Sequence, residues 1–198
     1  MKSVVTGILL AAGSSQRFNG NKLLHPLDGE PIALRSARSF AAAFPHGIAV
    51  VRTASPLKPL LEAMGLTVIE CARADEGMGA SLAAGVAASA DADGWVVALA
   101  DMPFIQPATH ARIERALHAG ADLVAAAHHG ERGHPVGIGE RFRDELLTLG
   151  GDAGARRIVR ANPTLLQLIE CDDPGVVRDI DTRDDLTMAP TAPEPPSR

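Results

Sequence analysis

The alternation of short apolar runs with amphipathic stretches constrains this chain more than any other feature. Val4 to Ala11 (VVTGILLA) is an apolar run closed by Gly13-Ser14-Ser15, and its length and flanks predict a buried strand rather than a helix. Pro31 to Phe44 follows with Ile32, Leu34, Ala37, Phe40 and Ala41 at helical spacing, and Pro31 stands where a helix can begin. The pattern then repeats. Gly47 to Arg52 reads as strand, Pro56 to Met64 as helix, Leu66 to Glu70 as strand, Met78 to Ala90 as an alanine-rich helix, and Gly94 to Leu99 as a further buried strand. Such alternation predicts an α/β fold with a mainly parallel sheet.

The second half is less regular. Pro107 to His118 reads as helix and Leu123 to Ala127 as strand, followed by a polar loop from His128 to Pro135 and a short extended piece from Val136 to Ile138. Arg141 to Leu149 and Ala155 to Ala161 read as helices, and Leu165 to Glu170 and Val176 to Ile180 as late strands at a mixed sheet edge. The expected organisation is one domain over residues 1–188, followed by a disordered, proline-rich tail over 189–198. Aromatic residues make up 3% of the chain and there is no Tyr, so the core must rest on Ala, Val, Leu and Ile. A formal net charge of −5 argues against a protein that coats nucleic acid or an anionic membrane. Cys71 and Cys171 form no CxxC pair and read as buried small hydrophobes, and Trp95 reads as core. No apolar run reaches the roughly 18 residues of a membrane span, and the expected location is cytoplasmic.

The turn after the first strand carries the chemistry. In Leu10-Ala11-Ala12-Gly13-Ser14-Ser15-Gln16-Arg17-Phe18-Asn19-Gly20-Asn21-Lys22, small residues let the backbone approach a phosphate, and Arg17 and Lys22 add positive charge. A P-loop from Gly13 would need glycine at position 18, which is Phe18. The dinucleotide fingerprint would need glycine at 15 and 18, which are Ser15 and Phe18. By residue type alone the segment serves equally as a phosphate loop of another kind or as an ordinary βα turn.

LAAGSSQRFNGNKLLHPLDGEPI resembles the opening signature of the GT-A-like nucleotidyltransferases, above all the molybdenum cofactor cytidylyltransferases within the MobA-like NTP transferases. Their pattern is LAAG-x-S-x-R-[MF]-x(2,3)-[NK]-K-L-L followed by G-x-P, and further segments extend the likeness to about Leu186. The resemblance implies a Rossmann-like three-layer α/β/α fold. It also implies that the Leu10, Ala11, Ala12 and Gly13 backbone meets base and ribose, while Arg17 and Lys22 hold phosphates.

Asp101, in Leu99-Ala100-Asp101-Met102-Pro103, follows a predicted strand, where α/β folds bind ligands. Taken alone it reads as a turn or capping residue. In the resembled family Asp-x-Pro is the metal motif, which implies a Mg²⁺ ligand. The segment Asp179-Ile180-Asp181-Thr182-Arg183-Asp184-Asp185-Leu186 matches the family's D-[IV]-[DN]-T-x-x-D-L element, which implies Asp181 as second metal ligand, with Asp179 in reserve. Asp181 or Thr182 could equally cap a following helix. Gly77-Met78-Gly79-Ala80-Ser81-Leu82 opens a helix, and the resemblance places Gly79 and Ser81 beside the nucleotide. His128, His129 and His134 lack metal-ligand spacing. Gly133-His134-Pro135-Val136 and Gly151-Asp152-Ala153-Gly154-Ala155-Arg156 match family elements that imply His134, Asp152 and Arg156 as acceptor contacts. His25 reads as a partly buried histidine of a strand or loop.

The resemblance implies transfer of a nucleotidyl group from CTP to the phosphate of molybdopterin, with Mg²⁺ as cofactor and a molybdoenzyme maturation partner as a further possibility. The LAAG form, where guanylyltransferases carry LAGG, is the residue-level pointer to cytosine. Alternatives are a guanylyltransferase or sugar-phosphate nucleotidyltransferase of the same fold, or a nucleotide-binding maturation factor with little turnover.

Overall fold

The computed structural model describes residues 4–13, 18 and 20–186. Its strands are β1 (Val5–Ala11), β2 (Pro26–Leu27), β3 (Glu30–Pro31), β4 (Ile48–Arg52), β5 (Thr67–Cys71), β6 (Gly94–Leu99), β7 (Leu123–His128), β8 (Glu131–Gly139) and β9 (Leu166–Glu170). The α-helices are α1 (Ile32–Ala43), α2 (Leu57–Glu62), α3 (Met78–Ala87), α4 (Pro107–His118), α5 (Arg143–Leu147) and α6 (Arg156–Ala161). Seven strands form one sheet in the order β5-β4-β1-β6-β8-β7-β9, and β2 and β3 form a separate hairpin.

Strands β1, β4, β5 and β6 are mutually parallel. The chain runs outward from β1 through β4 to β5, then returns to pair β6 on the other side of β1. That reversal is the topological switch point of a Rossmann-like sheet, where the carboxyl ends of diverging strands leave a crevice. Side chains alternate across the sheet at period two, so β1 sends Ile8 and Leu10 to one apolar layer and Leu9 and Ala11 to the other. The first layer is closed by Leu82 and Val86 of α3, Leu146 of α5 and Ile158 of α6. The second is closed by Phe40 of α1, Leu57 and Leu61 of α2 and Ile113 of α4. The result is the expected α/β/α sandwich. Trp95 is fully buried, as the sequence suggests, and both cysteines are free and buried. No helix among the described residues is long and apolar enough to cross a membrane.

Three expectations need correction. The segment read as a polar loop from His128 to Pro135 is mostly strand: β7 continues to His128 and β8 begins at Glu131. His129 and Gly130 both take positive φ between them, which is the two-residue turn that suits a twisted hairpin. Consequently the antiparallel member of the mixed sheet is the interior strand β8, bonded to β6 and β7, while β9 at the edge runs parallel to β7. The predicted strand Val176 to Ile180 is absent. Instead the Asp173 carboxylate accepts a hydrogen bond from the Gly175 amide and caps a 3-10 turn, Pro174–Val177. Val176 and Ile180 are both buried, but in different apolar clusters, so they never needed strand alternation. The predicted helix Arg141 to Leu149 is a 3-10 turn, Glu140–Phe142, followed by the short α5. Pro31 serves as N-cap of α1, one residue outside the helix. The expected tail at 189–198 lies outside the described residues.

Candidate functional site

A cleft of ≈ 500 Å³ opens at the carboxyl ends of β1, β4 and β6. The strand ends are locked together by the backbone: Leu10 lies between Val50 and Leu99 in register, and the Ala100 amide donates to the Leu10 carbonyl at 3.0 Å. Leu10, Ala12 and Gly13 line the cleft, whereas Ala11 points into the opposite apolar layer. Arg17 lies outside the described residues.

Lys22 heads a short 3-10 turn, Lys22–Leu24, held by burial of Leu23 and by the His25 amide donating to the Lys22 carbonyl at 3.0 Å. Its ammonium donates to Asp101 Oδ2 at 2.8 Å and to Asp181 Oδ1 at 3.0 Å. Burial works against the charge on Lys22, but attraction and hydrogen bonds from Asp101 and Asp181 outweigh it and raise the amine above its ordinary value. The lysine side chain is 9% exposed while the two carboxylates are 24% and 34% exposed, so an incoming ligand meets the carboxylates first.

The two aspartates come from segments 80 residues apart and are joined by backbone as well as by Lys22. The Ile180 amide donates to the Asp101 carbonyl at 2.9 Å, and the Ile180 side chain is buried with Phe18, Leu27 and Ile32. On the other flank the Ser36 hydroxyl donates to the Ala100 carbonyl at 2.8 Å, tying Asp101's strand end to α1. Of the two late candidates, Asp181 is the one bonded to Lys22. Asp179 is surface-exposed, yet enough protein surrounds its carboxyl that partial burial, then repulsion from Asp181 and Asp101, pushes it up.

Two hard oxygen donors converging on one cation are a fitting set for Mg²⁺, which proteins commonly hold by one or two carboxylates with phosphate oxygens and water completing the shell. Among the described residues no group of three or more His, Cys, Asp or Glu converges as a closed all-protein cage. Among the described residues, two carboxylates and one ammonium meet at this end of the cleft, a set that suits a divalent cation beside a polyphosphate.

The α3 side differs in part from expectation. Gly77, Met78 and Ser81 line the cleft. Gly79 does not: its amide donates to the Gly151 carbonyl at 2.8 Å, and a Cβ there would stand 2.7 Å from the Gly150 carbonyl oxygen. The segment at 150–154 has taken the helix end that the sequence seemed to leave open to a ligand. Two charged lining residues escaped sequence reasoning, Arg52 and Asp75, which are ion-paired across the rim, with Arg52 also donating to the Ala12 carbonyl at 3.4 Å. Arg52 closes a parallel strand, a position that could have flagged it; Asp75 carried no signal.

A smaller chamber of ≈ 160 Å³ adjoins the cleft, sharing Leu10, Met78, Leu99 and Asp152 with it. His134, Asp152 and Arg156, matched on two separate sequence elements, all line this chamber, joined by Arg132. His134 is half-buried as a residue, but its Nδ1 is buried without a hydrogen-bond partner among the described residues, and burial pushes its imidazole below the ordinary value. His25 is half-buried and meets Phe18 edge-on at 5.1 Å.

Comparison with known proteins identifies the family. Residues 7–167 match the MobA-like NTP transferase domain. The chain belongs to the MobA-like NTP transferase family. Within reach of this family it is 32% identical to nicotine blue oxidoreductase of Paenarthrobacter nicotinovorans, over 90% of this chain and 92% of the relative. It is likewise 32% identical to the purine catabolism protein PucB of Bacillus subtilis (strain 168), over 92% and 94% of the two chains. Among solved structures, Rv0371c of Mycobacterium tuberculosis H37Rv superposes with a TM-score of 0.79 at 27% identity, covering 95% of this chain and 98% of that one. A manganese complex of Rv0371c superposes with a TM-score of 0.74 at 25% identity, covering 94% and 97%. MobA-like membership makes the chain a protein of the nucleotidyltransferase kind.

Proposed function

We propose that this protein transfers CMP from CTP to the phosphate of molybdopterin and releases pyrophosphate. The observation that carries the reading is the convergence of Asp101 and Asp181 on Lys22 Nζ, at the end of a cleft lined by Leu10, Ala12 and Gly13. In the reaction an acceptor phosphate oxygen attacks the α-phosphorus of the triphosphate, the bond from that phosphorus to the bridging α–β oxygen breaks, and pyrophosphate leaves with the electron pair. Asp101 and Asp181 would hold a divalent cation; bound there, it would supply the charge neutralisation that the leaving pyrophosphate needs. The manganese complex of Rv0371c supports a divalent ion in this fold. Lys22, fully ionised between the carboxylates, fixes their spacing and adds a positive charge beside the reacting phosphates. Ser81 and the backbone from Leu10 to Gly13 orient the nucleoside, and Arg17 is assigned to the phosphates by its place in the sequence motif.

The chamber lined by Arg132, His134, Asp152 and Arg156 receives the acceptor. Its two guanidinium groups suit a phosphorylated ligand, and its continuity with the cleft through Asp152 lets the acceptor reach the α-phosphorus. No side chain needs to form a covalent intermediate. Incubation with each radiolabelled nucleoside triphosphate, Mg²⁺ and molybdopterin tests the reading: labelled molybdopterin dinucleotide and pyrophosphate should appear with CTP. A product with GTP alone would make it a guanylyltransferase, product only with sugar 1-phosphates a sugar-phosphate nucleotidyltransferase, and tight CTP binding without pyrophosphate a maturation factor. The name of the Paenarthrobacter relative raises an oxidoreductase reading. Consumption of a reduced electron donor without pyrophosphate release would favour it over transfer.

A further inference from the structure

We infer that Asp185 is the positioning residue that aims the Asp181 carboxylate at the cation end of the cleft. This inference rests on the assignment of Asp181 to the site but concerns a residue that touches neither Lys22 nor the cleft.

A single oxygen of Asp185, Oδ2, accepts three hydrogen bonds: from the Asp181 amide at 3.0 Å, from the Thr182 amide at 2.7 Å and from the Thr182 hydroxyl at 2.9 Å. Thr182 and Asp185 have the spacing of a capping box, in which an acid three residues into a turn reaches back to the amide of the capping residue. Here the acid reaches one residue further, to the amide of Asp181 itself. Asp181 is therefore gripped from both sides. Ahead of it, the Ile180 amide is bonded to the Asp101 carbonyl and the Ile180 side chain is buried; behind it, Asp185 fixes the next peptide.

Asp181 needs that grip. It lies outside any strand or helix and its side chain is one-third exposed, so nothing in regular secondary structure sets its direction. Thr182 is exposed and Asp181 only half-buried, so water reaches this turn and can replace the carboxylate, and losing Asp185 costs little stability. What it removes is the backbone constraint that, together with the Lys22 hydrogen bond, sets where the Asp181 carboxylate points. Positioning partners of metal-binding side chains commonly change affinity by ten- to a hundredfold.

The experiment compares Asp185→Ala with Asp185→Asn. Asparagine keeps a carbonyl oxygen for the same amides but loses the charge, so it separates positioning from electrostatic attraction. Amide hydrogen exchange of metal-free protein reads the position itself: Asp185→Ala should accelerate exchange at Asp181 and Thr182 by about tenfold or more, while Asp185→Asn stays near wild type. Mn²⁺ affinity, followed by electron paramagnetic resonance, reads the consequence: about a tenfold loss in Asp185→Ala and less than threefold in Asp185→Asn. Unchanged exchange in the alanine variant, or an asparagine variant as impaired as alanine in both measurements, would overturn the inference. A wild-type protein that binds no Mn²⁺ but shows the expected exchange pattern would sink the metal assignment while leaving Asp185 as the residue that aims Asp181 at Lys22.

Discussion

Replacing Asp173 by alanine should unfasten the segment that delivers Asp181 to the site. Asp173 is 3% exposed, and its carboxylate accepts hydrogen bonds from the Gln106 amide at 2.9 Å, the Thr109 hydroxyl at 2.6 Å and the Gly175 amide at 3.1 Å. It thus caps the 3-10 turn beginning at Pro174 and also satisfies the N-terminal end of α4, where Gln106 is the N-cap and a negative charge is favoured. Each hydrogen bond to a charged acceptor is worth about 1.5–3 kcal/mol. Against this stands the desolvation cost of the buried carboxylate, which alanine relieves. The balance is a loss of about 3–5 kcal/mol, in line with breaking other buried charge networks. For a chain of this size each kcal/mol lowers Tm by about 2–4 °C, so calorimetry should show a fall on the order of 10 °C. Asp173→Asn keeps one acceptor oxygen and should lose about half as much. At a temperature where the variant is still folded, pyrophosphate release should fall as well, because residues 174–180 no longer hold the approach to Asp181. A Tm within about 2 °C of wild type would refute the reasoning, since it would mean that three buried donors find other partners without cost.

Asp101→Asn and Asp181→Asn should each cut pyrophosphate release by about 10²–10³-fold while leaving the circular dichroism spectrum unchanged; Asp101→Ala should abolish it, and full turnover in that variant would dismiss the metal assignment. Stability should fall with acid through His110, which is 2% exposed, packs edge-on to Phe40 and is held by burial at a pKa of about 4 against an ordinary 6.5. Because the folded value lies below the unfolded one, the unfolded chain binds more protons between pH 6.5 and 4. The contribution is complete above that window and is lost as pH falls through it, by roughly 3 kcal/mol in all. Urea titrations at pH 7.5 and 4.5 should show a smaller acid penalty for His110→Leu than for wild type; equal penalties would assign the acid sensitivity elsewhere. Gly133→Ala would place a Cβ 1.7 Å from the backbone oxygen of Val176, so β8 and the 3-10 turn must separate, at about 3 kcal/mol or more. An alanine variant as stable as wild type would show that the turn is free to move.

Much of the first half, through α4, was readable in the chain because its signals are local. Apolar runs of five to seven residues bounded by glycine mark β1, β4 and β6, and three-and-four spacing marks α1 and α4. The β7–β8 hairpin was misread because Glu131 to Pro135 is polar and contains proline, although the adjacent positive-φ pair His129-Gly130 carried the turn signal. Asp28-Gly29, also at positive φ, was an equally available signal for the small β2–β3 hairpin.

The sequence by itself determined an α/β sandwich, a small-residue turn after β1 and a set of acids and bases worth watching, since strand burial, helix amphipathicity and loop composition depend only on near neighbours along the chain. Which acid would face Lys22, which helix end was already taken by the segment at 150–154, and whether His134, Asp152 and Arg156 would share one chamber were decided by the tertiary structure. Those outcomes depend on distances between residues as far apart as Lys22 and Asp181, which no local pattern encodes and which packing of both apolar layers against one twisted sheet sets.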